Sequence, residues 1–289
     1  MYRPLLFAAS SIAAISTAMA IDLTPLWNFD DPVQSEQRFR SALVTATGDD
    51  TIILQTQIAR SYGLRGDLAK AQEILKALEP RLQAAGAEPR TRYWLELGRT
   101  YSSATHPPES QTPETKERAR MAYKQAFESA KAGQLDGLAV DALHMLAFVD
   151  TAPADQLKWG QEALALAQAS SQPSAKNWEA SLRNNVGYAL YELGRYEEAL
   201  AEFKQAVILR ERGTDLQATR VAHWMVAWTL RALNRVDEAL EIQLRLEHER
   251  DAAGAPSPYV FEELELLYRA KGDGTRADHY AELKKAAIK

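Results

Sequence analysis

Residues Asn185 to Leu209 read NVGYALYELGRYEEALAEFKQAVIL. The stretch is two amphipathic helical segments interrupted once. Gly194 stands at the interruption, where a residue tolerating positive φ lets a helix end and the chain reverse. Small residues Gly187, Ala199 and Ala206 fall where two helices must touch. Large ones, Leu190, Tyr191 and Phe203, fall around them. The segment therefore predicts a helical hairpin whose backbones approach closely at the small residues.

This spacing of small and aromatic residues resembles the tetratricopeptide repeat, a helix–turn–helix unit of about 34 residues. The same offsets recur outward in both directions. On the N-terminal side they pick out Ala59, Tyr62, Gly66, Ala71, Leu75 and Leu78 in one pair. The next pair carries Trp94, Leu97, Gly98, Tyr101, Ala119, Tyr123 and Ala126. A weaker third pair has Leu146-Ala147, a helix start at Pro153, and Trp159 in the place usually held by alanine. Beyond the opening stretch come Val226, Ala227, Leu230, Asn234 and Ala239, then Tyr268, Gly272, Ala277 and Ala281. The leading small residues of the second helices fall at 71, 119, 159, 199, 239 and 277, in steps of 48, 40, 40, 40 and 38. The long first step is assigned to THPPESQTPET, Thr105 to Thr115, whose three prolines and lack of an apolar stripe predict an exposed loop.

The resemblance implies an all-α fold: a right-handed α-solenoid of about six helix–turn–helix repeats across residues 49–289. Residues 21–48 form a linker and a capping helix. That helix starts at Asp31-Pro32, a capping carboxylate followed by a proline at the first helical position, and covers the end of the apolar seam.

The N-terminus has its own logic. Arg3, the apolar run Leu5 to Ile15 and the small residues Ala18-Met19-Ala20 form the layout of a secretory signal peptide cleaved after Ala20. The run is too short to span a bilayer comfortably. The expected location is periplasmic or secreted, with no membrane span once residues 1–20 are removed. The chain has 34 basic and 39 acidic residues. Loss of Arg3 with the leader makes the mature charge −6. That balance argues against a nucleic-acid partner, which favours a basic face. There is no cysteine, hence no disulfide, thiol nucleophile or thiolate metal site.

Catalytic signatures are absent from the sequence. There is no phosphate-binding G-x-x-x-x-G-K-[ST] loop and no G-x-S-x-G elbow. His248-Glu249 is followed by Ala252 where a second ligand would be needed, and the five histidines form no i, i+3 or i, i+4 pair. No enzyme activity, cofactor or metal is expected. The resemblance instead implies a concave groove lined by the first helix of each pair. The residues that map there are Arg60, Arg92, Arg99, Asp141, His144, Phe148, Asn184, Tyr188, Tyr191, Trp224, Trp228 and Arg231. Aromatic and arginine side chains are common anchors of protein interfaces, so a protein or peptide is the expected partner. Trp224 and Trp228 fit two places equally, the groove or the space between neighbouring repeats. Two other functions fit the same row: an envelope assembly factor holding lipid or glycan, and a regulatory module of an enzyme, suggested only by Asp141 and His144 on one helix.

Overall fold

A computed structural model describes residues 21–103 and 106–287. The leader expected over residues 1–20 lies outside the described residues. Every regular element among them is helical. The helices are α1 (Pro32–Leu43), α2 (Gly48–Leu64), α3 (Leu68–Leu82), α4 (Ala87–Tyr101), α5 (Pro113–Ala132), α6 (Asp136–Val149) and α7 (Pro153–Ala169). They continue as α8 (Pro173–Lys176), α9 (Glu179–Glu192), α10 (Tyr196–Arg210), α11 (Leu216–Ala232), α12 (Val236–Ala252), α13 (Pro258–Ala270) and α14 (Gly274–Ala287). Six antiparallel pairs, α2/α3, α4/α5, α6/α7, α9/α10, α11/α12 and α13/α14, pack consecutively into an α-solenoid.

One turn recurs in four of the pairs. Gly66, Gly194, Asn234 and Gly272 adopt φ of 80°, 72°, 58° and 76°. In each case the next amide donates back to the carbonyl five residues earlier: Asp67 to Tyr62 (3.0 Å), Arg195 to Leu190 (2.9 Å), Arg235 to Leu230 (2.9 Å) and Asp273 to Tyr268 (2.9 Å). This left-handed closure satisfies carbonyls that the ending helix leaves open. Asn234 is the one non-glycine among the four, and asparagine tolerates the left-handed region better than most residues. Side-chain caps start other helices. Asp31 accepts from the Gln34 amide at 2.9 Å, Asp67 from Lys70 at 3.1 Å and Asp215 from Ala218 at 2.9 Å.

Two pairs, α4/α5 and α9/α10, close on an aromatic ring meeting a glycine. A Cβ at Gly187 would lie 2.7 Å from the Phe203 ring, and one at Gly98 would lie 2.5 Å from the Tyr123 ring. Gly187 thus receives Phe203, and Ala199 is buried beside it on the same helix. Ala71, Ala119, Ala199, Ala239 and Ala277 are all buried, as the repeat spacing predicts. One apolar core runs from Leu95 to Leu267. At its N-terminal end Phe39 of α1 packs with Leu23, Ile53, Leu54 and Ile58 in a separate cluster.

Two expectations change. Trp159 does not fill a small-residue slot. It is half-buried, its indole Nε1 donates to Asp150 Oδ2 at 2.9 Å, and the buried small residues of α7 are Gly160, Ala163 and Ala167. Second helices begin at 68, 113, 153, 196, 236 and 274, so the step from the third pair to the fourth is longer than 40. The short α8, inserted between α7 and α9, supplies the extra residues. The Pro-rich insertion is also more structured than a plain loop. Thr112 accepts from the Thr115 amide, and Pro113–Thr115 form the first turn of α5. His106 is buried, with Nδ1 3.0 Å from Ser103 Oγ and Nε2 3.2 Å from the Thr100 carbonyl. Only 107–109 and 112–114 are exposed among its described residues. Thr105 lies outside them.

Candidate functional site

The twelve residues mapped to the first helices fall into an ionic group and an aromatic group. The ionic group spans α2, α4 and α6. Arg60 Nη1 donates to Glu96 Oε1 at 3.1 Å, and Arg99 Nη1 donates to the same oxygen at 2.6 Å. Arg99 Nη2 then reaches both oxygens of Asp141, at 2.6 and 2.7 Å. Two guanidiniums and two carboxylates alternate, so the chain balances its own charge. Burial alone would push the Asp141 carboxyl up, but Arg99 and Arg60 outweigh it and hold it below the usual carboxylate value. Arg99 is held protonated despite its burial, chiefly by Asp141 and Glu96. Such a chain fixes the order of three helices more than it adds net stability. Arg92 lies one turn away and pairs with Glu88 of its own helix at 2.8 Å.

His144 and Phe148 connect the two groups. The rings meet edge to face at 5.0 Å, and the Trp178 ring is 5.1 Å from the imidazole. His144 Nδ1 is 3.2 Å from Asn185 Nδ2. Burial lowers the His144 pKa, Arg99 lowers it further, and Asp141 only partly offsets both. A neutral ring accepting from Asn185 satisfies this geometry. Asp141 is engaged by Arg99 through both of its oxygens.

The aromatic group spans α9 and α11. Tyr191 stacks on Trp228 with centroids 3.4 Å apart and planes within 17°. Trp224 continues the row at 5.8 Å and 17°, and Tyr188 flanks Trp228 at 6.1 Å and 13°. Tyr188 is 45% exposed, and the other three rings are half-buried. The tryptophans therefore take part in both alternatives raised by the sequence: one side packs on the solenoid core and the other borders solvent. Asn184 and Tyr188 line a cavity of about 300 Å³ with Phe148, Gln156, Ala147 and Asn185. Arg231, at the end of the row, is held by a bidentate pair to Glu263, 2.8 Å for each bond. Glu263 is 3% exposed, so this arginine neutralises a buried carboxylate.

Residues 178–246 match the family model of the tetratricopeptide repeat. Residues 178–246 are tetratricopeptide repeats. They coincide with the fourth and fifth pairs, which carry the aromatic row. No curated protein matches the chain. Solved structures share the tetratricopeptide-type fold over most of it. The chain is similar to a signal-transduction ATPase with numerous domains from Pyrococcus horikoshii, which has a tetratricopeptide repeat sensor. Identity is 14% and the TM-score 0.68 over 88% of this chain, and the match spans 39% of that protein's length. It is also similar to aspartyl phosphate phosphatase F from Bacillus subtilis (16% identity, TM-score 0.55, 92% of this chain and 79% of that one). A third is a Rap protein complexed with Competence and Sporulation Factor (18%, 0.53, 88% and 69%). Among the described residues no helix is long and apolar enough to cross a membrane.

Reading the tetratricopeptide repeats by residue type finds the arginines and aromatics but not their partners. Glu96, Glu263 and Trp178 were missed. Glu96 sits among apolar neighbours in YWLELG, a pattern that signals a buried ion pair without naming the other half, whereas Glu263, between Glu262 and Glu265, carries no such signal.

Proposed function

We propose that the protein is an exported tetratricopeptide scaffold, with no catalytic activity of its own, that binds a protein or peptide along the concave side formed by its first helices. The aromatic row of α9 and α11 is the contact surface, and the ionic chain of α2, α4 and α6 is the rigid floor beside it. The observation that carries this reading is the combination of half-exposed Tyr188, the stacked Trp228 and the Asn184 cavity in one place. Asn184 offers an amide donor and acceptor there, the pair of groups an extended peptide backbone takes. The Rap protein of similar fold, solved with Competence and Sporulation Factor, supports a bound factor as the occupant. Export rests on the residue pattern of the leader.

The test is retention of an envelope protein by the chain beginning at Ile21, compared with two variants. Tyr188→Ala should weaken a recurring partner by about 1–2 kcal/mol, roughly 5- to 30-fold, as for an interface anchor. Glu162→Ala, on the exposed face of α7, should change nothing. Equal retention by all three proteins refutes the surface.

A further inference from the structure

The segment that precedes α1 is tied down at its first residue. The Ile21 backbone nitrogen donates to Asp50 Oδ1 at 3.3 Å, in a half-buried position near the start of α2. Leu23 is buried with Phe39, Ile53, Leu54 and Ile58, and Ile21, Leu26 and Trp27 pack on the same cluster. From this anchor the chain carries two stacked rings, Trp27 and Phe29, 4.7 Å apart and 3° from parallel. They lie 5.7 and 5.9 Å from the Arg60 guanidinium, and Trp27 Nε1 donates to Gln57 Oε1 at 3.3 Å. Arg60 is the α2 end of the ionic chain proposed as the floor beside the contact surface. Ile21 to Phe29 is thus a strap that ends on one end of the binding side.

We propose that Asp50 is the receptor for the α-ammonium created when the leader is removed, so that processing locks the strap onto Arg60. This rests on the export reading, which places the cut between Ala20 and Ile21. Hydrolysis adds one water across that bond. The Ala20 carboxylate leaves with the leader, and the Ile21 nitrogen, which had one N–H, becomes a protonated amine with three. The neutral amide-to-carboxylate bond becomes an ammonium–carboxylate pair at the same position. Charge-assisted bonds of this kind are about twice as strong as neutral ones. Partial burial shields the pair from the screening that makes fully exposed pairs weak. No other group need move, because donor and acceptor already face each other.

The experiment compares four proteins: the chain beginning at Ile21, the same chain with Asp50→Asn, a chain retaining Ala18–Ala20, and that chain with Asp50→Asn. The readout is hydrogen exchange of the amides of Leu23–Asp31. In the chain beginning at Ile21, Asp50→Asn should speed exchange by about fivefold or more, the loss of one charge-assisted bond. In the extended chain the same substitution should change it less than about twofold. Protection should also be higher in the chain beginning at Ile21 than in the extended one with Asp50 intact, a comparison that needs no variant to fold. An equal Asp50→Asn factor in both backgrounds, or equal protection in the two native backgrounds, overturns the lock. N-terminal sequencing of the exported protein reads the other premise separately: a first residue other than Ile21 refutes the cut itself.

Discussion

Gly98→Ala and Gly63→Ala are the same substitution in two first helices and should have opposite effects. Both glycines are helical, so each alanine removes backbone entropy from the unfolded chain and gains about 0.8–1.0 kcal/mol of helix propensity. At Gly63 nothing lies within 4 Å of the added Cβ, and the gain should appear undiminished. At Gly98 the Cβ would sit 2.5 Å from Tyr123 Cε1 and 2.8 Å from Cδ1, against about 3.5–4.0 Å for carbons in comfortable contact. The ring must retreat by about 1 Å. It has little room, because Tyr123 is buried and its hydroxyl donates to the Ser102 carbonyl at 2.8 Å. Overpacking of this kind costs about 1–3 kcal/mol, which exceeds the propensity gain over most of its range. Gly98→Ala should therefore lose up to about 2 kcal/mol net. Gly187→Ala should lose less, since Phe203 carries no hydroxyl to tether it. Urea denaturation of the three variants gives the comparison. If Gly98→Ala and Gly63→Ala shift the midpoint in the same direction, the glycine–ring closure of the pairs is not what orders them.

Other substitutions test the remaining contacts. Arg231→Ala should destabilise by about 3 kcal/mol, the low end for breaking a buried pair, because Glu263 is left buried and unpaired while Arg231 is itself partly exposed; adding Glu263→Gln should recover most of it in the same denaturation assay. Gly194→Val should cost about 1–2 kcal/mol for a branched residue at φ 72°, while Gly194→Asn should be tolerated, since Asn234 holds the equivalent turn. His144 has a lowered pKa in the fold, so its contribution is fully present above the unfolded value of about 6.5 and is lost as pH falls through the lower folded value. Stability of the native protein should decline below pH 6.5, and His144→Gln should flatten that part of the profile; an unchanged slope would show that the imidazole binds its proton equally in the folded and unfolded chain.

The parts of the fold that were legible in the sequence are those encoded within one pair. Gly194 and its counterparts mark a turn that needs positive φ, and the residue four before each, Leu190 for Gly194, is the carbonyl partner of the closing bond. Such signals span five residues and carry their own geometry. Trp159 shows where this reading stops. On α7, residues three or four apart share a face, so Gly160, Ala163 and Ala167 and the series from Trp159 are both consistent with the sequence. Only the arrival of Asp150 at the indole and the added turn of α8 separate them. The site was legible in kind but not in pairing. Arg99 and Asp141 are 42 residues apart, and Arg231 and Glu263 are 32 apart. Both pairs join successive first helices, a distance that local periodicity does not specify. Those pairings engage Arg99, Asp141 and Arg231 with neighbouring first helices, Arg60 is held to Glu96 through Nη1, and Asn184, Tyr188 and the stacked rings are left as the open surface.

Whether this open surface holds a protein or peptide can be read with a photo-crosslinker placed in the living host. With p-benzoylphenylalanine at position 188, a discrete protein adduct should form, be lost when Asn184→Ala is added and be absent when the crosslinker stands at position 162. Adducts that form from position 162 and not from 188, or none from 188 at all, would contradict a bound protein or peptide there.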